Sequence, residues 1–425
     1  MRRKEYLITF LILLYVLFLP INVYSETNQY RADINRSGNY NGQYFVLPLA
    51  TAWQVKVTGE LANRGNCIAG EGKVISGFSD GTVRCYELST GTLLWNNSYE
   101  EIVYASSIIS DGKAYIATIG GKLYSLDVST GTIIWEKDLE SSILSAPLLD
   151  GNNLYIVLSS GKLKSVDIAS GNISWEYSSG SIATCAPALK DGVIYFGDYS
   201  GRLYAVNSDG TLKWKYESTN LIRSNSVVVD DKVYFSTADD KIYALNSVTG
   251  ALVWSAVAVG CYENGLAATD GKIYYSNGSI IISAAGNTGN ILWQVNTGKN
   301  VTAPLVVADG HIYAGTDTEL TILSIDNETV VQSVTTDGKI IASPVISDLQ
   351  IAAVTENGSL FVLKSEDIIP PEITITGVGE NGYYNNNAIP VITVTDGTIF
   401  TYEATLNENA FISGTTIEES GDYTL

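Results

Sequence analysis

The sequence predicts an all-β fold, an eight-bladed β-propeller of four-stranded antiparallel blades, on three observations. Tryptophan falls at positions 53, 95, 135, 175, 214, 254 and 293, a period close to forty residues. Runs such as "KAYIAT", "VIYFGD" and "KIYALN" alternate apolar and polar residues with period two, the repeat of a half-buried strand. No helical periodicity separates one unit from the next. Four short strands per forty residues, repeated end to end, is the arithmetic of a propeller.

Three turns punctuate each unit. The first is Asp-Gly, as at Asp111-Gly112, Asp191-Gly192, Asp270-Gly271 and Asp309-Gly310. The second falls at Asp80-Gly81, Gly120-Gly121, Ser200-Gly201 and Asn277-Gly278, and the third at Thr90-Gly91, Thr130-Gly131, Ser170-Gly171 and Thr249-Gly250. Tight hairpins need positive φ, which Gly, Asp and Asn tolerate best. The strands between these turns are A, B, C and D. Groups A-B-C begin near Cys67, Ser107, Pro147, Pro187, Ser226, Leu266, Pro304 and Pro344. The first D strand, around Trp53, precedes every group, and the last group has none after it. The strand around Trp53 is therefore expected to complete the final blade and lock the ring. An eighth repeat end is read at Val331 in "DNETVVQSV", with Val in place of Trp.

A blade cannot bury both of its faces alone. Trp53, Trp95, Trp135, Trp175, Trp214, Trp254 and Trp293 stand at one offset in every repeat, so they are expected to pack between adjacent blades behind the glycine turn. Stacking on sugars is the rival reading of such residues.

Outside the repeats the chain divides further. Arg2, Arg3 and Lys4, the apolar run Leu7–Leu19, Pro20 and a small residue at Ser25 read as a cleaved signal peptide over 1–25. The run is shorter than the ~20 residues of a membrane-spanning helix. The mature chain is then secreted or held at the cell surface, with no membrane span, and no Cys near the cut supports a lipid anchor. Residues 26–44 form a lead-in, and deleting 45–58 is expected to destabilise the propeller far more than deleting 26–40. The propeller occupies 45–366, Pro370-Pro371 stiffens a linker over 367–371, and strands such as "EITITGV" and "PVITVTD" fill 372–425.

The formal charge of −20 repels phosphate backbones and excludes nucleic acid as a partner class. Cys67, Cys85, Cys185 and Cys261 lack metal-site spacing and read as buried free thiols. One histidine, His311, leaves no Ser-His-Asp or Cys-His arrangement, and no sequence pattern assigns a metal or a catalytic residue. Paired acidic residues such as Glu100-Glu101 are candidates for glycoside hydrolysis. A ligand, if bound, is expected at the mouth of the central channel, where the D-to-A connections converge. Those connections break the repeat with Arg64, Tyr104, Arg223, Tyr262 and Glu263, a set suited to a planar anion or a sugar.

The motif x-x-[D/N]-x-x-T-G-x-x-x-W, present at Asp127, Thr130, Gly131 and Trp135, resembles the tryptophan-docking repeat of the pyrroloquinoline-quinone (PQQ)-like propellers. Weaker copies stand at Asp167, Gly171 and Trp175 and at Asn246, Gly250 and Trp254, and "YRADINRSG" looks like the lead-in of exported members. The resemblance spans about residues 30–366. The family it points to holds quinoprotein dehydrogenases, the propeller lipoprotein of outer-membrane protein assembly, and exported proteins that bind no quinone. The chain lacks the vicinal Cys-Cys of quinoprotein alcohol dehydrogenases, and their calcium ligands cannot be placed. The resemblance thus implies a monomeric, non-catalytic scaffold with no PQQ or calcium cofactor, for a protein or cell-wall polysaccharide partner. A PQQ-dependent dehydrogenase and a carbohydrate-active surface protein are the alternatives. Residues 372–425 resemble part of a bacterial immunoglobulin-like module, which predicts that the gene continues beyond Leu425.

Overall fold

The computed structural model describes residues 31–365, apart from 34–35, 41–42, 44, 57–65, 79, 100, 104–105, 261–264 and 270, together with four short strands between 372 and 411. The signal-peptide and linker assignments therefore lie outside the described residues. The chain separates into two compact units, one of residues 1–45 with 49–364 and one of 46–48 with 365–425.

The first unit is the predicted propeller. Eight four-stranded antiparallel sheets follow one another as blades 1 (67–98), 2 (108–138), 3 (148–178), 4 (188–217), 5 (227–257), 6 (267–296), 7 (306–335) and 8. Blade 8 takes strands A to C from Val345–Ser347, Gln350–Val354 and Ser359–Ser365 and its D strand from Leu49–Lys56. The ring closes where the sequence placed the closure. In the second unit Glu372–Thr376 pairs with Val391–Thr395 and Ala404–Leu406 with Asn409–Phe411. The immunoglobulin-like assignment depends mostly on residues outside the described set.

The core is layered between blades. Val193, Tyr195 and Leu203 of blade 4 pack on Val228, Val233, Phe235 and Leu245 of blade 5, with Trp214 against the cluster. Every D strand of blades 1 to 7 breaks register with its C strand once, as where Ser125 pairs with Trp135 but Leu126 with Ile133. Such a bulge twists the strand and re-aims its side chains. Here it turns the tryptophan toward the next blade and leaves the two residues before it outside.

Each tryptophan docks on its neighbour's C–D turn. A Cβ on Gly131 would lie 2.7 Å from the Trp95 ring, and Gly91, Gly171, Gly210, Gly250 and Gly289 stand in the same relation to Trp53, Trp135, Trp175, Trp214 and Trp254. The indole N–H then donates to a carbonyl of that turn: Trp95 to Val128 at 2.8 Å, Trp135 to Ile168 at 2.9 Å, Trp254 to Gly286 at 2.9 Å. Tyr234 of the same blade donates to Gly286 as well, at 3.0 Å. Trp293 and Ile325 both pack against the apolar cluster that blades 6 and 7 share. Of the seven tryptophans only Trp95 is buried, and the others keep one edge in solvent.

Glycine is required at these turns twice over, by conformation and by space. Gly131 has φ of +72° and Gly112 +70°, yet nothing lies within 4 Å of a Cβ on Gly112. Gly112→Ala therefore carries only the conformational strain, ~1 kcal/mol, whereas Gly131→Ala adds displacement of Trp95 and should cost roughly 2–4 kcal/mol. Urea titration of the two variants measures the difference; equal midpoints would mean that the tryptophan contact contributes nothing.

The eighth repeat end corrects the sequence reading. Ile322 pairs with Gln332 across the bulge, the register that Ser125 and Trp135 keep in blade 2. Gln332, not Val331, thus occupies the tryptophan position, and Val331 is one of the two residues left exposed. The reason is topological. Blade 8 has no C–D hairpin, because its C and D strands come from opposite ends of the unit, so a tryptophan from blade 7 would find no turn to dock on. Gln332 instead accepts from Leu49 N at 2.8 Å and donates to Leu49 O at 2.7 Å, gripping the first residue of the closing strand.

The same turns set a pH dependence. Asp127 accepts from Ser129 N, Thr130 N and Thr130 Oγ1, and bonds from Thr130 hold its carboxyl below the usual range. Asp167 and Asp209 are lowered likewise by the hydroxyls of Ser170 and Thr211. A carboxyl depressed in the folded state contributes stability above its unfolded pKa of ~3.9 and loses it as pH falls through the folded value. The urea midpoint should therefore drop as pH goes from about 4 toward 2. Blade 5 performs the same task with Asn246, which accepts from Val248 N and Thr249 N. Replacing Asp127, Asp167 and Asp209 by Asn should keep the turns and flatten the acid limb; an unchanged slope would refute the assignment.

Candidate functional site at the channel axis

The A strands line the axis, and the residue before each A strand marks one end of the channel. The lead-in enters it, and two of its arginines are fully buried there. Arg36 Nε donates to Pro187 O at 3.0 Å, and its Nη2 to Pro147 O at 2.5 Å and Ala146 O at 3.3 Å, at the starts of blades 4 and 3. Arg31 Nη2 donates to the carbonyls of Leu266 and Leu305, at the starts of blades 6 and 7. The two guanidinium groups thus span the ring, and carbonyls ending D–A connections suit them as acceptors that no strand ladder uses.

Between them the backbone runs along the channel wall. Ala268 N donates to Ser37 O at 2.8 Å and Val307 N to Gly38 O at 2.7 Å, while Tyr40 N donates to Val307 O at 2.8 Å; Asn39 bridges Val307 in parallel. Gly38, at φ +70°, has Arg31 Nη2, Leu305 O and Ala267 Cβ all within 3.3 Å of where a Cβ would stand. Asp33 caps the bend, accepting from Ser37 N at 3.0 Å and Ser37 Oγ at 2.5 Å. Desolvation raises the pKa of Asp33 even against these bonds and the arginines. At the other end Phe45 N donates to Asp309 Oδ2 at 3.1 Å, and the Phe45 ring meets Tyr313 edge-on. The described part of the lead-in is accordingly a core element. Its signal was present: two arginines, one aspartate and a glycine in ten residues without strand alternation.

Of the five residues nominated at the mouth, Arg64, Tyr104, Tyr262 and Glu263 lie outside the described residues. Arg223 is exposed on the connection from blade 4 to blade 5, its guanidinium 6.0 Å from the Tyr199 ring centroid. Tyr199 shares a hydrogen bond of 3.1 Å with Thr184 on the preceding connection. Away from the axis, a cleft of about 700 Å³ opens between blades 1 and 2 and is lined by Asn97, Tyr99, Glu101, Lys122, Tyr124 and Glu136. Thr118 Oγ1 donates to Glu101 at 2.9 Å, and the rings of Tyr99 and Tyr124 lie 4.7 Å apart. Glu100, the partner proposed for Glu101, is outside the described residues.

Cys67, Cys85 and Cys185 are buried free thiols, as expected, and burial pushes the first two up to about 12 and the third to about 11. They are poor nucleophiles at neutral pH. Cys261 is outside the described residues. Among the described residues no three His, Cys, Asp or Glu side chains converge to hold a metal, and no helix is long and apolar enough to cross a membrane.

A PQQ-type repeat family described as outer membrane protein assembly factor BamB matches residues 79–219, 180–283 and 276–368. The chain belongs to this family. Among solved structures, BamB from Moraxella catarrhalis superposes with a TM-score of 0.63 at 20% identity, covering 75% of this chain and 100% of that one. A quinohemoprotein alcohol dehydrogenase from Comamonas testosteroni gives 0.67 at 11% identity over 82% of each chain. A europium-containing methanol dehydrogenase gives 0.64 at 12% identity, covering 80% of this chain and 89% of the other. At these identities the likenesses establish the fold. No curated protein matches the sequence.

Proposed function

We propose that the protein is an exported, non-catalytic propeller that serves as a protein-binding scaffold at the cell surface or in the envelope. The observation that carries this reading is the filled axis. In a propeller the axial mouth is the natural seat for a small molecule, and here Arg31, Arg36 and the backbone of 37–40 take that space. The residues at the axis do not suit a quinone with its calcium: the cations already bond to carbonyls of the D–A connections, and among the described residues no three His, Cys, Asp or Glu side chains converge there. Membership of a family described by an assembly factor supports a role in protein contacts, which the outer surface is left to make. The basic start and short apolar run of residues 1–19 support export.

The test is a pair of assays on the purified chain. PQQ with calcium is titrated in while dye-linked alcohol oxidation is followed, and a photo-crosslinkable form is used to trap partners in envelope extracts. The scaffold reading expects no saturable dye reduction and a stoichiometric protein adduct. Quinone-dependent turnover would replace it with the dehydrogenase reading. The cleft between blades 1 and 2, with its paired tyrosines, amide and carboxylates, favours one second reading, sugar binding, which a glycan array tests directly.

A further inference from the structure

Residues that recur at one offset serve the packing that every blade needs. Positions that leave the repeat together, at one interface, point to a task that this interface alone performs. Four such departures fall on one cleft, the space of about 700 Å³ between blades 1 and 2. Two residues beyond the tryptophan position, blades 3 to 7 carry Tyr177, Tyr216, Ala256, Val295 and Val334. The rings of Tyr177 and Tyr216 meet Phe196 and Phe235 of the next blade edge-on. Blade 1 has an amide there instead, Asn97, which donates to Gly131 O at 2.7 Å. Four residues beyond the tryptophan, Tyr99 stands where blades 3 and 4 have Ser179 and Ser218. All three donate their backbone N–H to the B–C turn glycine of their own blade. The Tyr99 ring reaches across to Tyr124 of blade 2, at 4.7 Å.

The other two departures place a carboxylate. Six residues beyond the tryptophan, blades 2 and 3 carry Ser141 and Ser181, and blade 1 carries Glu101. Thr118 Oγ1 donates to Glu101 Oε2 at 2.9 Å. The carboxylate lies so close over the B–C turn of blade 2 that a Cβ on Gly120 would collide with it. Blades 3, 4 and 5 have Ser160, Ser200 and Asp239 at the position of Gly120. The Gly120 backbone is not in the left-handed region, so glycine is required there by space alone. Blade 2 gives up its turn side chain, and Glu101 takes the room. Glu136 adds a second carboxylate to the cleft and Lys122 an ammonium. The lining runs from Thr132 at the C–D turn of blade 2 to Thr118 at its B–C turn, the full length of the strand Lys122–Asp127. The cleft is long rather than round.

We propose that this cleft binds a chain of uncharged sugars. The inference rests on the sugar-binding reading of the cleft and is independent of the scaffold reading. The polar groups decide the ligand. Glu101 and Glu136, when ionised, only accept hydrogen bonds, Lys122 only donates, and the amides of Asn96 and Asn97 do both. Sugar hydroxyls both donate and accept, so they meet every member of this mixture, and they bring no charge that must be desolvated. Acidic sugars are repelled, because two carboxylates face one ammonium in a chain of net charge −20. The volume lies within the range of small-ligand sites, roughly 300–1,000 Å³. Its length along a strand suits several sugar units in file better than a single one.

The purified chain is screened against immobilised neutral tetrasaccharides of glucose, mannose and N-acetylglucosamine, with tetragalacturonate as the acidic counterpart, and hits are titrated by calorimetry. At least one neutral chain should bind saturably, and tetragalacturonate should not. Two variants rewrite the cleft with residues that the repeat uses elsewhere. Asn97→Tyr combined with Tyr99→Ser copies blades 3 and 4, and Gly120→Ser copies their B–C turns and displaces Glu101. Both should melt cooperatively near the wild-type temperature and weaken the neutral ligand by about tenfold or more. Glu101→Gln keeps an acceptor for Thr118 and removes the charge, so it tests the site even where a rewritten cleft fails to fold. It should weaken binding by about fivefold. Arg223→Ala, on the connection from blade 4 to blade 5, should leave binding intact. Neutral binding that survives all three cleft variants overturns this site and leaves the sugar-binding reading standing. Tetragalacturonate bound as tightly as the neutral chains overturns the ligand class. Absence of binding to every glycan removes the sugar-binding reading and the inference with it.

Discussion

Deletion of Leu49–Lys56 is expected to abolish the cooperative unfolding of the propeller. Without this strand blade 8 exposes the edge of Ser359–Ser365, blade 1 loses the ring of Trp53 from its Gly91 turn, and Gln332 loses both bonds to Leu49. The parts of this seam can be weighed singly. Trp53 donates to Leu88 O at 2.7 Å and keeps one face in solvent. Trp53→Ala should cost roughly 2–4 kcal/mol, somewhat below a fully buried tryptophan. Gln332→Ala should cost about 1–2 kcal/mol for its paired backbone bonds. Gln332→Trp, which restores the repeat consensus, should destabilise rather than stabilise, because no C–D hairpin awaits the ring. Thermal melts by circular dichroism read all four. A deletion that melts cooperatively at the wild-type midpoint would show that the ring closes some other way.

The second large effect is at Arg36. Its guanidinium is fully buried and joins three carbonyls from two blades, so its loss leaves acceptors without donors in a space closed to water. Arg36→Ala should cost about 3–5 kcal/mol, the range for breaking a buried charged contact. Arg36→Lys keeps the charge but not the fork, and one ammonium cannot reach the carbonyls of Ala146, Pro147 and Pro187 in their separate directions. It should recover less than half of the loss. Denaturant unfolding gives the magnitude, and limited proteolysis reports whether residues 31–40 have left the channel. A stability change under ~0.5 kcal/mol for Arg36→Ala would mean that the lead-in is a surface strap.

These two sites show different degrees of legibility. The ring was readable because a propeller writes its geometry into the sequence once per blade. The tryptophan spacing fixes the blade length, the Thr-Gly and Ser-Gly turns fix where each D strand begins, and the unpaired first D strand leaves one closure. Repetition makes such signals hard to mistake. The place of the tryptophans between blades was legible for the same reason, since residues at one offset in every unit serve what every unit needs; the thiols were legible only because their spacing matches no metal site.

What happens once per molecule was not legible. Gln332 was misread by one position, because a local pattern of two valines and a glutamine cannot reveal a bulge, nor that the next blade lacks a hairpin. The buried place of the lead-in was not read, because ten residues without alternation carry no sign of the blade starts that their arginines join. Sequence alone determined the fold, its blade count and its closure, all of which follow from short-range periodicity. Only the tertiary structure decided that the lead-in enters the axis and that Arg31 and Arg36 serve carbonyls of the connections between blades. Those facts depend on which residues the closed ring brings together across hundreds of positions, and no local pattern carries that information.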